Sequence, residues 1–99
     1  MRVENLEDIF RIIKDKWSVL QNYRVCRIGV FGSFVRNAQR DDSDVDVLVE
    51  FESDIGYFEF FSLKSKLEEW FSRPVDLLSI EAIHPEIKEK VLHETLYAA

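Results

Sequence analysis

Gly32-Ser33, ten residues, then Asp44-Val45-Asp46 is the pattern that leaves this chain the fewest structural options. The glycine and serine close an apolar run (Ile28, Val30, Phe31), and the two aspartates open another (Val45, Val47, Leu48, Val49). Alternation along a strand sends side chains to opposite faces, so Asp44 and Asp46 share one face and Val45 and Val47 the other. Two carboxylates fixed side by side repel each other unless a cation lies between them. Such a pair suits one or two Mg²⁺ ions, and Mg²⁺ in turn suits substrate phosphates. The glycine permits a tight turn and a close approach to ligand, while the serine offers a hydroxyl and an N–H. A triphosphate is expected to lie between this turn and the aspartate strand.

The elements around this pattern are short and alternate in type. Asn5 caps a predicted helix over residues 5–21, with Leu6, Ile9, Phe10, Ile13, Trp17 and Leu20 on one stripe. A strand from Val25 to Phe31 leads to the Gly-Ser turn, and Phe34 to about Gln39 reads as a helix of at most two turns. Arg40-Asp41-Asp42-Ser43 is a polar loop before the strand Val45 to Phe51. Residues 52–56 break that strand, and Tyr57 to about Phe71 carries a second helical stripe. Pro74 stops the helical pattern and introduces a strand through Val75, Leu77 and Leu78. A last helix is expected over about 85–96, with Pro85 in its first turn. Alternating helices and strands give an α/β fold on one small sheet, with the core at about 25–79.

Length and charge narrow the function. At 99 residues the chain reads as a single domain, without room for a separate acceptor-binding domain. No apolar stretch spans a bilayer and no signal-peptide core opens the chain, so a cytoplasmic protein is expected. A net charge of −6 opposes direct binding to long nucleic acid but tolerates a nucleotide carried with its metal. The lone Cys26 excludes an intrachain disulfide, and its apolar neighbours predict a buried strand thiol. His84 and His93 lack metal-ligand spacing, and Tyr97 falls where mobile tails are common. A calcium loop of EF-hand type fails on position: counted from Asp42, Val47 replaces the required glycine and Ser53 the terminal glutamate.

Gly-Ser, ten residues and Asp-x-Asp resembles the signature of the nucleotidyltransferase superfamily that includes DNA polymerase beta, and the match is nearest to its minimal nucleotidyltransferases. The resemblance runs from about Val25 to the C-terminus and departs at Asn37, where glycine is common; asparagine tolerates the left-handed backbone a turn there needs. It implies a mixed sheet of three to four strands with flanking helices. It implies that Asp44, Asp46 and Asp76 ligate two Mg²⁺ ions, with Asp76 also activating the attacking hydroxyl. Gly32 and Ser33 would hold the nucleotide phosphates. Arg36 would reach a terminal phosphate or pair with Glu50 or another surface acid. The resemblance further implies ATP as donor and, as partner, a HEPN-domain ribonuclease toxin neutralised by transfer of AMP to a tyrosine. A binding-only antitoxin and a small-molecule transferase of the antibiotic-modifying kind are the alternatives.

Overall fold

The computed structural model describes residues 2–99. Two helices come first, α1 (Leu6–Asp15) and α2 (Trp17–Asn22), followed by strand β1 (Val25–Phe31) and a 3₁₀ turn at Gly32–Phe34. Strand β2 (Val45–Phe51), helix α3 (Tyr57–Phe71) and strand β3 (Val75–Ser79) follow. A second 3₁₀ turn at Ile80–Ala82, helix α4 (Pro85–Glu94) and the two-residue strand β4 (Leu96–Tyr97) complete the chain. The sheet order is β3-β2-β1-β4; β2 and β3 are parallel, and β1 is antiparallel to both β2 and β4.

One face of the sheet is the core. Ile28 and Val30 of β1, Val45, Val47 and Val49 of β2, and Val75 and Leu77 of β3 are buried with Ile9, Ile13 and Leu20 of the first helices and Leu63, Leu67 and Phe71 of α3. Burying one such branched or aromatic side chain contributes roughly 1.5–3 kcal/mol, and the period of two brings every second strand residue to this face. The opposite face therefore receives Gly29, Phe31, Asp46, Leu48 and Asp76. Register makes Asp46 the partner of Phe31 on one side and of Asp76 on the other.

Several expectations are corrected. The helix expected over 5–21 is interrupted at Lys16, whose backbone (φ −101°, ψ 14°) leaves helical geometry. The apolar stripe nonetheless continues across the break, with Ile9, Ile13 and Leu20 all buried. The two-turn helix expected at 34–39 is a single 3₁₀ turn, because Asn37 adopts φ 56° and ends any helical run. Cys26 is exposed rather than buried. A β-bulge between Val25 and Arg27 inserts it as an extra residue opposite Glu50, whose carbonyl accepts from its thiol at 3.3 Å. The last helix ends at Glu94, not 96, and Leu96 and Tyr97 pair with Val30 and Gly29 instead of forming a loose tail. The Arg27 guanidinium lies 3.8 Å from the Tyr97 ring centre, which adds a cation–π contact to that short strand.

Gly29 is what allows β4 to dock. A Cβ there would meet Thr95 Cγ2 at 2.6 Å and the Leu96 carbonyl at 2.8 Å, both closer than packed atoms tolerate. Gly29→Ala is expected to displace β4 and lower stability by about 1–3 kcal/mol in urea unfolding. An unchanged midpoint would show that β4 is not held as described.

Candidate active site

The site is assembled at one end of the sheet, where β1 finishes and β2 and β3 begin. Gly32 leaves β1 with φ 78°, a conformation open to glycine and strained for other residues. Its Cα also faces the Asp46 carboxylate so closely that an added Cβ would collide with Oδ2. Both the backbone angle and the approach of Asp46 thus require the glycine that the sequence pattern supplies. Val35 and Arg36 donate their N–H groups to the Gly32 carbonyl at 3.1 and 3.2 Å, which closes the turn over Ser33.

Asp46 is half-buried, whereas Asp44, just ahead of β2, and Asp76, at the sheet's β3 edge, are exposed. Burial first, then the neighbouring charges of Asp76 and Asp44, push the Asp46 carboxyl from its ordinary 3.8 up to about 6. Arg36 acts in the opposite direction, and Glu94 adds to the rise. The charges of the other two aspartates expected from the sequence are therefore both felt at Asp46. Among the described residues, no three Asp, Glu, His or Cys side chains converge into a ready-made cation cage. The arrangement is an open acidic ledge beside the Gly32–Phe34 turn.

Of the pairings expected for Arg36, the one with Glu50 is not made and one with another acid, Glu94, is. The Arg36 Nη1 donates to Glu94 Oε1 at 2.9 Å, and the same oxygen accepts from the Gly32 N–H at 2.5 Å. Glu94 escaped the sequence reading because it lies 62 positions from Gly32 and carries no motif of its own. His84 caps α4, with Nδ1 accepting from the Glu86 N–H at 3.2 Å.

Arg73 is the other residue that sequence pattern alone did not single out. Its side chain is 2% exposed. Nε donates to the Val3 carbonyl at 2.7 Å, while Nη1 donates to the carbonyls of Arg40 and Ser43 at 3.0 Å and of Asp41 at 3.3 Å. Nη2 lies 3.5 Å from the Glu4 carboxylate, and the guanidinium stacks 5.1 Å from the Phe34 ring centre. The loop that delivers Asp44 is thus fastened by its carbonyls to a buried cation. Only a planar, multi-donor guanidinium serves so many acceptors at once.

Two predictions test this geometry. Because the folded Asp46 carboxyl titrates near 6 and the unfolded one near 3.8, the folded protein holds that proton more tightly. Its contribution to stability is therefore greatest in acid and is lost as pH rises through 6. Asp46→Asn should then stabilise the protein by about 1–2 kcal/mol near neutral pH, after allowing for solvent screening, with the gain shrinking toward pH 4. A gain independent of pH would contradict the electrostatic origin. Arg73→Met should cost about 3 kcal/mol, since it leaves buried carbonyls without donors. Chemical denaturation measures both.

Comparison with known proteins follows the same geometry. Residues 6–98 match the family described as the nucleotidyltransferase domain. The chain is 37% identical over 98 residues to the protein adenylyltransferase MntA of Thermococcus cleftensis, an alignment covering 98% of this chain and 99% of that one. A solved structure of a candidate minimal nucleotidyltransferase superposes with a TM-score of 0.81 at 32% identity, covering 94% of this chain and 95% of its own. A tri-AMPylated Shewanella oneidensis HEPN toxin in complex with an MNT antitoxin shares the fold at 16% identity and TM-score 0.68, over 92% of this chain and 71% of that one.

Proposed function

From a chain that belongs to the nucleotidyltransferase domain family and is homologous to the protein adenylyltransferase MntA, we propose an antitoxin that transfers AMP from ATP to a tyrosine of a HEPN toxin. The observation that carries the chemistry is the contact of Asp46 with Gly32, with Asp76 in register beside it. It sets a phosphate-binding turn against a carboxylate ledge with no side chain between them.

In this reading the turn at Gly32 and Ser33 receives the triphosphate, with the Ser33 N–H and hydroxyl as donors and Arg36 offering its exposed edge to a phosphate oxygen. The donor set of Asp44, Asp46 and Asp76 fits Mg²⁺, which takes one or two carboxylates and completes its shell with phosphate oxygens and water rather than a closed protein cage. Mg²⁺ bound there would lower the repulsion among the aspartates and neutralise charge on the triphosphate. The acceptor oxygen attacks the α-phosphorus in line, the bond to the bridging oxygen breaks, and pyrophosphate leaves. Asp76, exposed at the edge strand, accepts the phenolic proton.

A protein acceptor is supported by the surface as well. Tyr57 and Phe58 at the start of α3 are 80% and 93% exposed, and Phe61 is 47% exposed. Beside them is a cavity of about 590 Å³ whose charged lining residues, Glu52, Asp54 and Glu81, are all acidic. Clustered exposed aromatics mark protein-contact surfaces, and the acidic lining favours a basic partner.

The test is intact-mass measurement of the HEPN partner after incubation with this protein, ATP and Mg²⁺. Addition of AMP is expected with the parent and lost on EDTA treatment, in Asp44→Ala and in Asp46→Ala, whose fold should persist. Ser33→Ala should be milder, losing one phosphate hydrogen bond worth roughly 1–3 kcal/mol. A stable complex without added mass would favour masking, and transfer to a free aminoglycoside alone would favour the antibiotic-modifying class.

A further inference from the structure

We propose that Glu94 is a positioning residue for nucleotide binding: it fixes the phosphate turn through the Gly32 N–H and aims Arg36 at the triphosphate. This rests on the reading of that turn as the nucleotide site.

The register of the sheet explains how a residue so distant in sequence arrives there. Val30 pairs with Leu96, so one step outward sets Phe31 level with Thr95, and the next sets Gly32 level with Glu94. Each of the four strands consequently delivers one part of the site to the same end: Gly32 beyond β1, Asp44 and Asp46 at β2, Asp76 at β3 and Glu94 ahead of β4. Glu94 is also held on both sides. The Thr95 hydroxyl and N–H donate to the Val91 carbonyl at 2.6 and 3.0 Å and close α4. The pairing of Leu96 and Tyr97 with β1 fixes the chain beyond.

Local preference argues against a glutamate in that place. The C-terminal end of a helix carries partial negative charge, and a carboxylate there is disfavoured. It also adds a like charge near Asp46. What offsets both costs is one oxygen, Oε1, accepting from Gly32 and Arg36 together. A residue that breaks local rules while joining two parts of a ligand site is best explained by that junction. The Glu94 side chain is 25% exposed and that of Arg36 is 57% exposed. The pair thus leaves more than half of the Arg36 side chain exposed, and a guanidinium has donors to spare beyond the one Glu94 uses. Arg36 otherwise carries a long, mobile side chain, and holding it in one orientation before ligand arrives lowers the ordering cost of binding.

Calorimetric titration of the parent, Glu94→Gln, Glu94→Ala, Arg36→Ala and the Arg36→Ala/Glu94→Ala double variant tests this, using inorganic tripolyphosphate and ATP as probes with Mg²⁺ present. Glu94→Ala is expected to weaken tripolyphosphate binding about tenfold, the scale of one charge-assisted hydrogen bond. Glu94→Gln should fall between, because its amide oxygen still accepts from Gly32. In the Arg36→Ala background the Glu94 substitution should cost far less, since the two act as a unit. Losses that simply add would overturn the proposal by reducing Glu94 to a fold-supporting residue. Unchanged or tighter binding in Glu94→Ala would overturn it by making the carboxylate a bystander or a competitor for the phosphate. If the parent binds tripolyphosphate but not ATP, the nucleotide reading fails while the Glu94 comparison stands on tripolyphosphate. If the parent binds neither, there is no anion site to position and the proposal falls. Should Glu94→Ala lose its circular dichroism signal, the isosteric Glu94→Gln carries the comparison against the parent.

Discussion

The Arg73 guanidinium is the constraint from which the geometry of the acidic ledge follows. A buried cation is costly unless its donors are met, and here the acceptors are backbone carbonyls of the 40–43 loop and of Val3, together with the Glu4 carboxylate. Carbonyl acceptors matter because they leave the Asp44 carboxylate free of Arg73. A structure that neutralised Arg73 with Asp44 would have consumed the side chain the site needs. The next residue, Pro74, accepts the Val45 N–H at 2.9 Å, so the beginnings of β2 and β3 are tied together one residue from the arginine. From that junction the register brings Asp46 and Asp76 level. Arg73 thus holds the intervening loop while Pro74 beside it ties the two strands, and both effects fall on the carboxylates.

Local physics made much of this legible in the sequence. Period-two apolar residues mark β1, β2 and β3, and the Gly-Ser turn and Asp-x-Asp strand carry their geometry in their own residue types. Asn37 also behaves as its chemistry suggests, taking φ 56°. What was not legible depends on partners distant in the chain. The bulge that turns Cys26 outward is a property of the β1–β2 pairing and not of β1 alone. Strand β4 has two residues, too few to show a period, and exists because Gly29 lets it approach. Arg73 and Glu94 look like ordinary surface charges until the fold surrounds one and brings the other to Gly32.

The ledge carries a cost that its electrostatics make visible. Asp46 sits between two other aspartates in a half-buried position, so the isolated fold is strained by like charge at neutral pH. Proteins retain such strain where function needs it and are stabilised elsewhere, here by an uninterrupted apolar face from Val25 to Leu77. Arg36 only partly relieves the repulsion, since Glu94 shares its charge. A cation accompanied by phosphate is the kind of ligand that removes the strain. Binding such a ligand and stabilising the fold are then the same event.

Family membership and local geometry support different parts of the functional reading. The homology to a protein adenylyltransferase spans nearly the whole chain and fixes the class of reaction. The toxin complex that shares the fold is only 16% identical, so its likeness speaks to architecture and not to the acceptor. A surface can differ without disturbing the sheet end only where its element is held by other contacts. The exposed aromatics of α3 are such a surface: they belong to an element whose buried side, Leu63, Leu67 and Phe71, is committed to the core. Substitution on their outer face leaves β2 and β3 in register, and with them the aspartates. The aspartates are positioned by strand pairing and the exposed aromatics by the outer side of a helix, so one can change without dismantling the other.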